Sequence, residues 1–550
     1  MEPNPTRFGL KTMATLVRAS VLVTWIWMSF APATAVAQPA TTATASGITA
    51  PAPSATPSDE ASLRARIEVL AAELRALERA LASKTADDPA TAADPASAPT
   101  APDGSTSGVP AADSRSATPA PTNEAIAEGL YQLDQKIRIM ERKLELDQEK
   151  QAEAAKTAPV TGAGRDGFQI RSADGAYQLR FRGLIQADSR AYLEDTGIQG
   201  ADTFILRRVR PIFDGTVFKY FDFRLTPDFG GGTTVLQDAY VDMRFRPSLK
   251  LRAGKQKQPF GLERLISASN LAFIERALPT SVAGNRDLGA MLYGDLLKNR
   301  FSYWAGVFNG VPDGGSADLD ERDGKDVVAR VMVHPFRGTS NERLEGLGLG
   351  VAGSYGSQTG TLLAPGLASY RTSGQLLFFR YRADGTDTGT VIADGTRYRV
   401  SAQGYLYSGR FGLLGEQVFS SQEVRRGTDA GRMGTNSFQV LGTWVLTGER
   451  ASYTGVVPQS AFDPSAGKLG AFELTARYHE LTADRDAFPL FANPTAAARA
   501  ARAWAAGLNW YVNRSVKLSA DYEQTHFDGG AADGDRPTEH DIFTRVQFGF

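Results

Sequence analysis

The sequence predicts an all-β transmembrane barrel of about 16 antiparallel strands, preceded by an N-terminal α-helical coiled coil and a disordered Ala/Pro-rich linker. Three observations indicate this fold: apolar and polar residues alternate from about residue 167 onward, the connections alternate in length, and a heptad-like hydrophobic repeat precedes residue 150. The 550 residues include no cysteine, 60 basic and 61 acidic side chains. This composition excludes disulfides and thiolate metal sites and disfavours binding to nucleic acid.

The N-terminus has the features of an export signal. Basic residues precede the apolar run VLVTWIWMSFA, and Ala35-Val36-Ala37 then has the small-x-small form of a signal-peptidase site. We therefore expect residues 1–37 to be a signal peptide. The alternative is a membrane-anchoring helix, but the run is shorter than the roughly 20 apolar residues that span a bilayer.

Residues 38–165 form the second region and are rich in Ala, Pro, Thr and Ser, a composition that cannot bury enough apolar surface to fold as a globule. Two segments within it, at about 61–84 and 123–150, carry Leu, Ile and Met at alternating spacings of three and four. This is the seam of a coiled coil, which a solitary helix cannot bury, so we predict self-association. The alternative is an intramolecular helix pair folded across the intervening Pro-rich segment.

Residues 166–550 are predicted to form the barrel domain. Short links alternate with long ones, except that 448–467 is long on the short-link side. Because lipid leaves no strand edge unpaired, the sheet must close, and about 16 strands enclose a water-filled lumen. The predicted strands are 177–188, 204–218, 221–228, 235–245, 249–256, 288–296, 301–308, 327–336, 346–355, 397–406, 410–420, 436–446, 468–481, 502–512, 515–527 and 540–550.

One predicted strand, FILRRVRPIFDGTVF, carries Arg207 and Arg208 side by side, although successive strand residues point to opposite faces. If the strand is bulged here, both arginines turn toward the link 259–287, which is long and apolar enough to fold into the lumen and narrow it. The alternative is that Arg208 and Arg210 face water while Arg207 reaches a neighbouring subunit or a lipid phosphate.

Arginine in a lumen favours oxyanions, because its planar fork forms two parallel hydrogen bonds with phosphate or carboxylate. A series of moderate sites allows an ion to step from one to the next. The predicted lumen residues are Arg180, Arg182, Arg207, Arg208, Arg224, Arg264, Arg276 and Arg330, with Lys255 and Lys257 at the root of the constriction loop.

Several stretches resemble the phosphate-selective porins of the O/P group. They are LRRVRPIFDGTVF, AGKQKQPFGLERLISASN, NLAFIERALPT, AFELTARYHEL, GLNWYVNRSVKLSADYE and RVQFGF, within roughly residues 167–550. The resemblance implies a homotrimer of 16-stranded barrels in the bacterial outer membrane, each with an arginine ladder and a basic residue at its constriction. By motif, it implies that Arg207 and Arg208 are the paired arginines, Arg264 the constriction cation, and Glu275 with Arg276 the following pair.

Two features depart from this pattern. Arg264 stands where phosphate-specific members have lysine after FGLE, and the first barrel strand reads RGLIQAD without an arginine just before its last four residues. These departures favour a general or carboxylate-preferring porin as the alternative to a phosphate channel.

The predicted function is therefore passive, anion-preferring diffusion of phosphate, pyrophosphate or similar small oxyanions through an outer-membrane porin. A structural tether, with the barrel as anchor and the coil spanning the periplasm, is a further alternative. We expect no catalytic residues, cofactor or metal, because no catalytic or phosphate-loop motif occurs. The expected partners are small phosphate-like anions, outer-membrane lipid and further copies of the chain, with the N-terminal extension in the periplasm.

Overall fold

The computed structural model describes nine residues between 65 and 79, all helical, and residues 123–550 except 165–166, 194–199 and 320–322. The predicted signal peptide, most of the first coiled-coil segment and the Pro-rich part of the linker lie outside the described residues. The chain forms two structural units, which are divided between Ala158 and Pro159.

The first unit contains a helix, α1 (Asn123–Thr157), that covers the second predicted coiled-coil segment and continues beyond it. Glu124 in its first turn and Lys156 in its last turn suit the helix dipole. Along the predicted seam Ile137 is 8% exposed, whereas Ile139 on another face is 66% exposed. The pairing of this helix into a coiled coil remains a prediction. None of the helices in the described residues is long and apolar enough to cross a bilayer.

The second unit is built from β-strands, and a strand already begins at Val160, inside the predicted linker. In chain order, the strands are β1 Val160–Gly164, β2 Gly167–Arg171, β3 Gln178–Tyr192, β4 Thr203–Val217, β5 Phe221–Asp228, β6 Val235–Arg246, β7 Leu249–Lys257, β8 Arg286–Leu296, β9 Phe301–Phe308, β10 Asp326–Val333, β11 Leu347–Thr359, β12 Ser369–Arg371, β13 Leu377–Arg380, β14 Ile392–Ser408, β15 Phe411–Arg426, β16 Asp429–Val445, β17 Ala471–Ala483, β18 Ala498–Tyr511, β19 Val516–Ala531, β20 Gly534–Asp535 and β21 Glu539–Gly549.

Sixteen of these strands form a closed antiparallel barrel. Strands β3 to β11 pair in sequence, β14 to β19 continue the sheet, and β21 joins β19 to β3. In the closing pair Arg545 lies opposite Asp188. The predicted closed barrel is therefore confirmed, and each predicted strand overlaps one barrel strand.

The outer face of the barrel is apolar, as a lipid-facing sheet requires. Along β18, Trp504 and Leu508 are 43% and 40% exposed, whereas Ala503 and Ala505, on either side of Trp504, point inward and are buried. The period of two that predicted the strands therefore separates a lipid face from a lumen face.

The two rims of the barrel differ in their connections. One rim has short turns, such as 218–220 and 247–248. The long connection predicted on this rim lies between β16 and β17, at residues 446–470. The other rim has long links, including 258–285 and 360–391. These two long links and the 446–470 segment place buried apolar residues within the barrel.

Candidate functional site

The link 258–285 folds into the lumen. Phe260 and Leu262 are 0% exposed and Ile274 is 1% exposed. The backbone N–H of Leu262 donates to Glu416 of β15 at 2.6 Å, and that of Ile274 donates to Asp521 of β19 at 2.6 Å. The link is therefore held against strands β15–β21, which we call the far wall.

The carbonyl groups of the link are also satisfied by far-wall side chains. Lys517 Nζ donates to the carbonyl oxygen of Leu271 at 2.7 Å, and Arg477 Nη1 donates to that of Glu275 at 2.9 Å. The link contains only short 3-10 helices, so most of its backbone groups need partners outside it. Polar side chains of the far wall supply these partners.

The arginines of the far wall are paired with carboxylates. Arg545 donates two hydrogen bonds to Asp188, both 2.7 Å long, and Arg477 donates to Glu523 at 2.7 Å. Both arginines are 4% exposed. Because their charge is neutralised and buried, they hold the link in place and are not available to a passing ion.

Strands β4–β10 form the opposite side of the lumen, which we call the near wall. Two consecutive residues of β3, Gln186 and Ala187, pair with Arg208 and Leu206 of β4. Arg207 of β4 therefore has no partner on β3 and is the extra residue of a β-bulge. Arg207 therefore turns inward with Arg208, and its Nε donates to Glu275 of the link at 2.6 Å.

The alternative orientation of Arg207, toward a neighbouring subunit or lipid, is wrong. The physical reason is the extra bulge residue, which breaks the alternation of faces. Arg208 Nη1 donates to Gln186 Oε1 at 2.6 Å, so this second arginine has an amide partner instead of a carboxylate.

Six of the ten predicted lumen cations share this lack of an acidic partner. Among the described residues, no carboxylate oxygen lies within 4.0 Å of their nitrogen atoms. Lys257 Nζ instead donates to the carbonyl oxygens of Arg264 and Ile266, at 2.8 and 3.0 Å. The six cations are Arg208, Arg224, Lys257, Arg264, Arg276 and Arg330.

Two of these cations also keep unused hydrogen-bond donors. The Nε atoms of Arg224 and Arg264 are buried and have no hydrogen-bond partner among the described residues. Burial, with the guanidinium groups of Arg276 and Arg286, lowers the pKa of Arg264 to about 9. The pKa of Arg276 is lowered to about 10, first by burial. Both remain charged at neutral pH, so positive charge is concentrated here without neutralisation.

Glu275 lies between the two walls. It accepts hydrogen bonds from Arg207 at 2.6 Å and from Arg190 at 3.0 Å. Burial alone would raise the pKa of the Glu275 carboxyl, but the guanidinium groups of Arg207, Arg208 and Arg545 together outweigh burial and hold this pKa well below its usual range. Glu275 is therefore a carboxylate that neutralises part of the arginine cluster.

The remaining predicted residues have acidic partners. Arg180 and Arg182 share Asp214, at 2.5 Å each, on the half of β3 nearer the short turns. Lys255 is buried and pairs with Asp318, so it does not belong to the unpaired cations. The structure thus does not bring these three residues into the unpaired set.

Sequence reasoning missed Arg286, which lines the path and donates to Asp238 at 3.1 Å. Its position at the end of the link, in the segment GNRD, was the available signal. No cluster of three or more His, Asp or Glu side chains in the described part of the chain could hold a metal ion.

Three cavities follow one another through the lumen, and the last also borders far-wall residues such as Lys517 and Gln547. Their volumes are 730 Å³ near the long links, 380 Å³ in the middle and 460 Å³ near the short turns. Arg210 and Arg286 line the first and middle cavities, and Ile212 and Arg224 line the middle and last. Six basic side chains and one carboxylate line the middle cavity. This arrangement can attract an anion and pass it from one cation to the next.

Comparison with known proteins gives one family. A family model described as phosphate-selective porin O and P matches residues 178–550. Porin O of Pseudomonas aeruginosa is 25% identical over 419 residues, which cover 70% of this chain and 91% of that protein.

Similar solved structures include the outer membrane channel DcaP of Acinetobacter baumannii, with 12% identity and a TM-score of 0.45 over 69% of this chain and 99% of that one. OmpT of Vibrio cholerae has 13% identity and a TM-score of 0.42, over 68% of this chain and 98% of that one.

Proposed function

Since this chain belongs to the phosphate-selective porin O and P family, we propose that it forms a water-filled, anion-preferring channel in the bacterial outer membrane. The channel would take up phosphate, pyrophosphate or similar small oxyanions by passive diffusion. The observation that carries this proposal is the set of six lumen cations without a carboxylate partner.

Electrostatics explains why unpaired cations favour anions. In a narrow lumen with low-dielectric walls, the attraction between opposite charges is much stronger than in bulk water. Paired arginines contribute little net field, whereas Arg264 and Arg276 present uncompensated charge to the first cavity. Guanidinium groups also stay protonated at any physiological pH, so the preference for anions would not depend on pH.

The unpaired cations extend through successive cavities. Arg208 and Arg264 line the first cavity, Lys257 and Arg330 line the middle one, and Arg224 lines both the middle and the last. An oxyanion would exchange one guanidinium or ammonium partner for the next without being released into apolar surroundings. Several moderate sites in series allow exit as well as entry.

Planar-bilayer recordings of the purified full chain test this function. In a potassium chloride gradient the reversal potential should indicate anion preference, and added phosphate should reduce the chloride current. Arg264→Gln should weaken this block about tenfold, because one charge-assisted hydrogen bond is lost. Arg425→Gln is the matched control, since Arg425 pairs with Asp394 at a surface-exposed site.

Three outcomes would contradict parts of the proposal. Cation preference would overturn the anion channel itself. A chloride current that phosphate leaves unchanged would overturn the oxyanion site. Stronger competition by small organic dicarboxylates than by phosphate would favour the carboxylate-preferring alternative.

We further propose that the N-terminal extension lies in the periplasm and that the channel is a homotrimer. The chain enters the barrel at the short-turn rim, where the N–H of Lys219 donates to the carbonyl of Ala176 at 3.0 Å. In bacterial outer-membrane barrels the short turns face the periplasm. Chemical cross-linking of the full chain in detergent should yield a trimer that is lost on deletion of residues 55–155; a monomer would contradict assembly through the extension.

A further inference from the structure

The middle cavity combines basic side chains with a wall that contains Trp304 and Met291. We propose that it selects oxyanions whose charged head is joined to a flat apolar group, such as an aryl phosphate, over bare inorganic phosphate. This inference rests on the proposed function, because it concerns the preferred substrate of the same channel.

Basic and apolar side chains are neighbours on adjacent strands in the wall of this cavity. Leu184 lies opposite Arg210 on β3 and β4, and Met291 lies opposite Arg252 on β7 and β8. Each pair places a guanidinium plane and an apolar side chain at one level of the lumen wall, while Asp228 and Asp242 neutralise the charges of Arg210 and Arg252. Both pairs line the middle cavity.

A third pair has the same form, since Trp304 lies opposite Arg330 on β9 and β10. The Arg330 guanidinium lies over the Trp304 ring at 4.9 Å from its centroid, and Arg330 Nε donates to Gln403 at 2.9 Å. Neither contact neutralises the charge of Arg330. Charge and a flat apolar surface are therefore presented together.

The link adds apolar surface to the same cavity through Pro259 and Leu265, and β4 adds Ile212. These side chains offer no hydrogen bonds, so a fully hydrated phosphate gains nothing from them. An aryl group would bury apolar area against them, and burial stabilises by roughly 25 cal/mol per Å². A guanidinium plane is also a good stacking surface for an aromatic ring.

The first cavity serves as an internal comparison. Its wall is mostly charged residues, glycines and polar side chains with a few aliphatic ones, and among the described residues no aromatic ring or methionine contributes to it. This cavity would attract any oxyanion by charge. Selection for the apolar group would therefore occur one step later, in the middle cavity.

Block of the chloride current by phenyl phosphate and methyl phosphate tests the inference, because the two ligands share one head group. In planar bilayers, at a pH where both are dianions, phenyl phosphate should give half-block at about one tenth of the methyl phosphate concentration. Trp304→Gln should bring this ratio close to one, whereas Trp304→Phe should retain most of it.

Equal block by the two esters in the wild-type channel would overturn the inference, and so would an unchanged ratio in Trp304→Gln. The wild-type measurement decides the matter even if a variant fails to assemble. If the proposed anion channel itself is wrong, neither ester nor inorganic phosphate will block, which is a different result.

Discussion

The far wall of the lumen and the infolded link use arginine in different ways. On the far wall, Arg545 makes two charge-assisted hydrogen bonds to Asp188 and is 4% exposed. On the link that faces the near wall, Arg264 donates to the backbone oxygen of Thr280 and keeps a buried Nε without a partner among the described residues. The difference teaches that the partner of an arginine, and not its presence in the lumen, decides its role.

The physical basis is the cost of taking charges out of water. A buried ion pair offsets much of that cost through mutual attraction, and removal of one member leaves the other charge uncompensated. An unpaired cation beside a water-filled path keeps part of its hydration, so its removal costs little stability. The paired arginines should therefore respond to mutation in stability and the unpaired cations in selectivity.

The largest expected effect is on the far wall. Arg545→Gln leaves the Asp188 carboxylate without its bidentate partner and weakens the hydrogen bond to the carbonyl of Ile274, which is 2.8 Å long. We expect a loss of about 3 to 5 kcal/mol in the free energy of unfolding. Urea titration of the barrel in lipid vesicles, followed by tryptophan fluorescence, measures this loss.

Arg264→Gln is the control for that measurement, and its free energy of unfolding should change by no more than about 1 kcal/mol. Equal destabilisation by Arg264→Gln and Arg545→Gln would show that paired and unpaired arginines do not differ in the way described.

An intermediate effect is expected at Glu275, which connects the walls. Glu275→Gln removes the counterion of Arg207 and Arg190, whose hydrogen bonds to it are 2.6 and 3.0 Å long. The variant should lose about 2 kcal/mol of stability. Its phosphate block should become about threefold stronger, because two cations are released. Weaker block in Glu275→Gln would contradict the view that this carboxylate neutralises part of the path.

The smallest effect is expected when the wild-type channel is acidified. The pKa of Glu275 is lower in the folded chain than in the unfolded chain, so its contribution to stability is present above the usual Glu pKa of about 4.3. That contribution is lost only as the pH falls through the lower, folded value. Glu275 should therefore stay ionised from pH 7 to about pH 5. The pH dependence of chloride conductance in this range should be the same in the wild-type channel and in Glu275→Gln, and a transition seen only in the wild type would contradict the strong pairing of Glu275.

Much of the barrel was predictable because its signals are local. Alternation along YQLRFRGLIQAD specifies which residues face lipid and which face the lumen, and all 16 predicted strands overlap barrel strands. The bulge at Arg207 was one of two interpretations of LRRVR, and the register with β3 decided between them. The infolding of link 258–285 was predictable from its length and apolar content.

The pairing of charges was not predictable in this way. Asp188 and Arg545 are 357 positions apart in the chain and become neighbours only when the barrel closes. Only Gln256 separates Lys255 from Lys257 in the sequence, yet Asp318 neutralises Lys255 and not Lys257. The aromatic wall at Trp304 was also missed, because one tryptophan in an alternating strand has no local mark of its lumen role.

The sequence alone determined the barrel, its strand number and the lumen face of its regular strands, since these follow from a period of two and from the absence of hydrogen-bond partners in lipid. Only the tertiary structure decided that Arg207 turns inward, which arginines are neutralised and which keep no carboxylate partner. Ion pairing depends on distances of a few ångströms between residues that are remote in the chain, and barrel closure together with the infolded link sets those distances.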